Sequence, residues 1–174
     1  MTTITKFKWF WAWDDEKEEI WLSNMAREGW HLKELGLPGN YTFESGEPRE
    51  DHYRMDFITN RRNYQNYIQL FKDAGWEHLG ELGGWQYFRA NAEENAIPEI
   101  YTDKDSKIQK YQRLITYLTI FFPALFIFTI QPVDGTSELA NLYLTGKYLM
   151  GFFLIIYAYA IVRILGRIQQ LKNK

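Results

Sequence analysis

The sequence predicts an α+β fold: a duplicated β-α-β-β head with a mostly antiparallel sheet and two helices on one face, followed by a two-helix transmembrane hairpin. Three observations predict it. Charge divides the 174-residue chain, with 11 Lys+Arg against 19 Asp+Glu in residues 1–103 and 9 against 3 in residues 104–174. Two stretches of the basic part, 114–133 and 148–162, contain no charged residue. The acidic part repeats its own pattern of apolar strand, helix, Gly-Trp and strand after 46 residues.

The first element is "FKWFWAWDD", residues 7–15. In a strand, Phe7, Trp9, Trp11 and Trp13 share one face, and Lys8, Phe10 and Ala12 share the other. Such a stretch suits a membrane-interface belt, a stacking platform or a core strand. All seven Trp lie in the head and none flanks an uncharged run, which argues against the belt. The repeat keeps the positions of Phe7, Trp9 and Trp11 apolar, as Tyr53, Met55 and Phe57, which favours the core.

Asp15 and Glu18 have capping-box spacing for a helix carrying Ile20, Trp21, Leu22, Met25 and Ala26. Gly29 is its natural C′ residue. "WHLKELGL" and "NYTFESG" follow as strands around a Pro38-Gly39 turn. The second copy has a helix with Tyr64, Tyr67, Ile68 and Phe71 at i, i+3, i+4, i+7, ending at Gly75. Trp76 and His78 then answer Trp30 and His31, Tyr87-Phe88 answers Tyr41-Thr42-Phe43, and Gly83-Gly84 reads as a hairpin turn. This places a cytoplasmic head over residues 1–90, a linker over 91–103, and a juxtamembrane helix with two membrane helices over 104–174, the spans covering about 114–133 and 146–165.

A helix needs about 20 apolar residues to cross the hydrocarbon core. The first run supplies them, and Arg163 can snorkel to extend the second to Leu165. Lys104, Lys107, Lys110 and Arg113 precede the first span, and Arg163, Arg167, Lys172 and Lys174 end the second. The loop 134–147 carries only Lys147 as a base, so the positive-inside rule puts both termini in the cytoplasm of a multi-pass protein of the cell membrane. Pro123 could kink the first span. Neither uncharged run, 114–133 or 148–162, holds a charged residue, which points to an anchor or dimerisation element rather than an ion path.

Four stretches, "FKWFWAWDDEKEEIWLSNMAREGWHL", "YTFESGEP", "LFKDAGWEHLGELGGWQYFR" and "EIYTDKDSKIQKYQRL", together resemble the bacterial family of unknown function numbered 2812, over essentially residues 5–115. The resemblance implies a soluble N-terminal domain with C-terminal membrane spans, often in Gram-positive bacteria, and genes neighbouring PadR-like repressors. It implies no established activity and no catalytic residues. Separately, the duplicated β-α-β-β order is similar to that of GyrI-like and SOUL-type effector-binding domains, which hold lipophilic cations or haem-like ligands between their halves with aromatics and a carboxylate. That likeness is one of topology.

No cysteine is present, which excludes disulfides and thiol chemistry, and the acidic head argues against nucleic acid as a partner. His31, His52 and His78 have no metal-ligand spacing, and no His-acid pattern activates Ser23, Ser45 or Ser106. The reading is therefore of no catalytic residues, no metal, no cofactor and no enzyme. The candidate ligand site is the sheet face holding Lys8, Phe10, Arg54 and Asp56, where Asp56 would supply charge and Phe10 an aromatic wall. Tyr41, Phe43, Trp85 and Tyr87 would line a cleft or a partner interface. A solvated sheet face with Arg54 and Asp56 as neighbours is the competing reading.

The sequence thus points to a membrane-anchored cytoplasmic sensory or adaptor protein. Its partners would be the lipid bilayer and either an amphipathic, lipophilic or cationic small molecule or a transcriptional regulator. The alternative is a structural module that self-associates without a ligand.

Overall fold

The computed structural model describes residues 2–91, 104–132 and 139–173. The chain forms two units, Met1–Lys110 and Tyr111–Lys174. The expected linker lies, apart from Asn91, outside the described residues, as do positions 134–138 of the expected loop.

The first unit contains β1 (Thr3–Phe7), α1 (Asp15–Arg27), β2 (Trp30–Gly36), β3 (Asn40–Ser45), β4 (Asp51–Phe57), α2 (Tyr64–Asp73), β5 (Glu77–Leu82) and β6 (Trp85–Asn91). Instead of one sheet there are two antiparallel three-stranded sheets, ordered β1-β3-β2 and β4-β6-β5. The duplication is visible in their defects as well as their order. Register slips between Leu32 and Glu34 in one copy and between His78 and Gly80 in the other, 46 residues on. Both helices run into a left-handed glycine, Gly29 at φ +81° and Gly75 at φ +85°.

The opening stretch departs from the expectation. β1 ends at Phe7, paired with Asn40, and the Lys8 N–H donates to the Gly39 carbonyl at the hairpin. β3 begins at Asn40, so beyond this point no neighbouring strand offers a ladder. Residues 8–14 are a loop, in which Trp9 is 55% and Trp11 44% exposed, and these rings are not core. The ladders pair Phe7 with Asn40 and Phe57 with Trp85, which makes Phe7 the counterpart of Phe57 rather than of Tyr53. The displacement has a simple origin: α1 has 13 residues and α2 has 10, and the loop before α1 is one residue longer.

In the first copy α1 buries Leu22, Met25 and Ala26, and its Trp21 ring meets Tyr41 at 4.9 Å and Phe43 at 5.6 Å, both edge-on. In the second, Tyr67, Ile68 and Phe71 of α2 pack on Trp76, Phe88 and Ala90, with Phe71 stacked on Phe88 at 4.1 Å. The far face of the first sheet is polar, with Thr5 beside Thr42 and a Lys33–Glu44 pair.

Two long helices follow, α3 (Lys104–Ile130) and α4 (Ala140–Lys172). α4 starts at Ala140 and takes up more than half of the expected loop 134–147. Pro123 is accommodated within α3. In the second unit Phe122 packs on Tyr157 at 6.1 Å and the Lys147 ammonium bonds the Gln131 carbonyl, so the helices run antiparallel. Both are long and apolar enough to cross a membrane.

Candidate functional site

The site grows from the phase of α1. Residues 15, 18, 19, 22, 25 and 26 fall on one helical face, and all six are buried. The C-terminal half of that face is apolar. Its N-terminal half is three carboxylates, Asp15, Glu18 and Glu19. Buried carboxylates persist only with partners, and the fold supplies two of the three with a cation.

Asp15 Oδ2 accepts from Lys110 Nζ at 2.5 Å, and Glu19 Oε2 from Arg54 Nη1 at 3.0 Å. These pairs also cover a sheet edge. Glu19 Oε1 accepts from the Met55 backbone N–H at 2.8 Å, and Lys110 Nζ reaches the Met55 carbonyl at 3.3 Å. Met55 belongs to β4, an outer strand of its sheet, so both of its edge-facing backbone groups are satisfied. Burial raises Glu19 to about 7 despite Lys110 and Arg54, which pull it down.

Glu18 is different. It is 5% exposed, and its Oε1 accepts from both Tyr41 Oη and Tyr87 Oη at 2.7 Å. Tyr41 stands on β3 and Tyr87 on β6, so one carboxylate oxygen joins the two sheets. Among the described residues Oε2 takes no hydrogen bond and no Lys or Arg pairs with Glu18. Burial lifts its pKa above the ordinary carboxylate value, Asp15 adds to that, and the two tyrosine bonds oppose it. Burial beside Glu18 also pushes both phenols up, which keeps them protonated as donors.

Aromatic rings gather at Tyr41, and Trp85 stands two residues from Tyr87 along β6. Phe10 lies 5.6 Å from Trp21 and 6.4 Å from Tyr41, and Trp85 packs on Phe57 at 5.3 Å with Lys110 Nζ 5.8 Å from its ring centre. A buried carboxylate held by two tyrosines and, among the described residues, without a counter-ion is chemically suited to an apolar cation.

The seven residues singled out from sequence fall into separate places. Phe10, Tyr41 and Phe43 gather around Trp21. Trp85 and Tyr87 share one face of the second sheet, since they alternate with Gln86 along β6. Asp56, paired with Gln86, lies on the opposite face, toward α2. Its Oδ1 accepts from the Phe57 N–H at 2.8 Å and its Oδ2 from Tyr67 Oη at 3.0 Å. Phe10 and Asp56 therefore do not share an open sheet face, because β1 stops before Phe10. Arg54 is engaged by Glu19.

Sequence reasoning missed Asp15, Glu18, Glu19 and Lys110. It spent Asp15 and Glu18 on a capping box, whereas the N-cap is Asp14, with no side-chain capping bond. The usable signal was their helical phase with Leu22, Met25 and Ala26. His31 is buried too; Arg49 Nη2 donates to its Nδ1 at 3.0 Å, so its Nε2–H faces the Glu47 carbonyl at 2.9 Å.

Compared with known proteins, residues 14–123 match the family model described as "Protein of unknown function (DUF2812)". No curated protein and no solved structure matches. The matched stretch contains Asp15, Glu18, Tyr41, Tyr87 and Lys110, and begins at Asp14, the last residue of the loop and the one after its last ring, Trp13.

Proposed function

We propose, for a chain that belongs to the DUF2812 family of proteins of unknown function, a role as a membrane-anchored sensor whose head recognises an amphipathic cation. One observation carries this reading: Glu18 is buried, has one oxygen held by two tyrosines, and has a second oxygen without a partner among the described residues. In this reading Tyr41 and Tyr87 orient the carboxylate, Oε2 receives the positive charge, and Phe10, Trp21 and Trp85 supply apolar surface. An ammonium or amidinium that lowers the cost of ionising Glu18 binds with that gain. The two long apolar helices support anchorage, and their basic flanks support cytoplasmic termini. Ligands of this class concentrate in bilayers, so an anchored receptor meets them at high local concentration.

A second reading is an adaptor without a ligand, favoured by the polar outer face of the first sheet, where Thr5, Thr42, Lys33 and Glu44 could meet a protein partner. Equilibrium dialysis of the full chain in lipid nanodiscs against tetraphenylphosphonium and rhodamine dyes separates the two. Saturable binding that weakens about tenfold or more in Glu18→Gln, as loss of the ion pair between the carboxylate and the bound cation implies, supports the sensor. Binding equal in the variant and the parent, or none above empty nanodiscs, removes it.

A further inference from the structure

We infer that Lys8 is a tethered competitor for the cation site: its ammonium covers the rings that an incoming cation needs, and binding requires its displacement. The inference rests on the reading of Glu18 as a cation receptor and adds a gate to it. Lys8 Nζ lies 4.8 Å from the Trp21 ring centre and 5.3 Å from that of Phe10. Both distances are within cation–π range. Lys8 is exposed whereas Phe10 and Trp21 are half-buried, so the ammonium covers the two rings from the solvent side.

These rings adjoin the receptor carboxylate. Trp21 follows Glu18 by three positions on α1, which makes the two side chains neighbours on the helix surface. Tyr41 touches both, with its hydroxyl on Glu18 and its ring 4.9 Å from Trp21. The acid at the end of the same loop, Asp14, is taken by Lys17 at 2.6 Å, and among the described residues Lys8 forms no ion pair. Its backbone is held in place. The Lys8 N–H donates to the Gly39 carbonyl at 2.9 Å, and a Cβ on Gly39 would come within 2.6 Å of the Lys8 carbonyl oxygen. The four-carbon stem beyond it is flexible and its ammonium strongly hydrated, so the side chain can leave the rings for water without disturbing the fold. Two like charges on the same ring faces repel, so ligand and Lys8 exclude each other.

The full chain in lipid nanodiscs is titrated with tetraphenylphosphonium by equilibrium dialysis. Lys8→Met keeps an apolar stem and removes the charge, and should tighten binding about two- to fivefold, the worth of an exposed cation–π contact. Lys33→Met removes the same charge from the far face of the first sheet and should leave binding unchanged. A second readout needs no ligand. Reductive methylation with a carbon-13 label keeps each lysine charged, and the Lys8 methyl resonance is identified by its loss in Lys8→Arg. In the ligand-free chain that resonance should lie upfield of solvent-exposed lysines, shielded by the two rings. Binding to Lys8→Met no tighter than to the parent, equal tightening in Lys33→Met, or a Lys8 resonance at the solvent position overturns the inference. The two levels separate cleanly: binding that depends on Glu18 but ignores Lys8 refutes the gate alone, and no saturable binding to either chain refutes the cation reading as well.

Discussion

Asp15 and Lys110 are 95 residues apart in sequence, and their side chains meet at 2.5 Å, both buried. The pair fastens the first turn of α1 to the first turns of α3, and Lys110 also touches the Met55 carbonyl on the edge of the second sheet. Removing one partner of such a pair leaves the other charge buried. Lys110→Met should destabilise the first unit by about 3–5 kcal/mol, and Lys110→Met with Asp15→Asn by clearly less. Denaturant midpoints of the single and double variants would check this. A loss in the double variant equal to the sum of the Lys110→Met and Asp15→Asn losses would show that the pair is not coupled.

Glu19 gives the head a pH dependence of known sign. Its folded pKa, raised from 4.5 to about 7, means that the folded state holds protons which the unfolded chain releases between those values. The contribution is fully present below pH 4.5 and is lost as the pH rises through about 7, amounting to about 3 kcal/mol. Glu18 shifts the same way. Stability measured across this window should fall with rising pH more steeply in the parent than in Glu19→Gln, where Oε1 can still accept from Met55. A parallel pair of profiles would mean that Glu19 titrates normally.

The exposed tryptophans should matter little to folding. Trp9→Ala and Trp11→Ala are expected within about 0.5 kcal/mol of the parent, while Phe88→Ala, fully buried against Phe71, should cost about 3–5 kcal/mol. Denaturation midpoints of the three variants decide it. A large loss at Trp9 or Trp11 would return those rings to a core.

Topology follows from the flanking bases. A reporter active only in the cytoplasm should work when fused to either terminus and fail when inserted near Gly135. Activity at Gly135 alone would invert the assignment and place the head on the other side.

Tyrosine truncation tests the join between the sheets. Tyr41→Phe or Tyr87→Phe each removes one donor to Glu18 Oε1 and should cost about 1.5–3 kcal/mol. Their double variant should raise the Glu18 pKa further, since both bonds oppose the effect of burial. Infrared titration of the carboxylate band would read that shift, and an unchanged band would detach the tyrosines from Glu18.

Local order determined much of this protein. Apolar period, Gly29 and Gly75, and the Pro38-Gly39 and Gly83-Gly84 turns place α1, α2 and the strands β2 to β6, and the repeat implies two copies of one β-α-β-β unit, though not that each forms its own sheet, because backbone geometry writes these features into neighbouring residues. The two apolar helices are equally legible, since composition alone decides whether a helix is long and apolar enough for a bilayer. Only tertiary structure decided the rest. Alternation made residues 7–13 look like a strand, but a strand needs a ladder partner, and β3 begins at Asn40. Asp15 and Glu18 read as a capping box, and Glu19 drew no reading, because nothing near them in sequence neutralises a buried charge. Their partners come from Lys110, Arg54, Tyr41 and Tyr87, delivered by other elements across 23 to 95 positions. Whether a carboxylate faces water or the interior depends on what meets it there, and that is set by contacts no local pattern encodes.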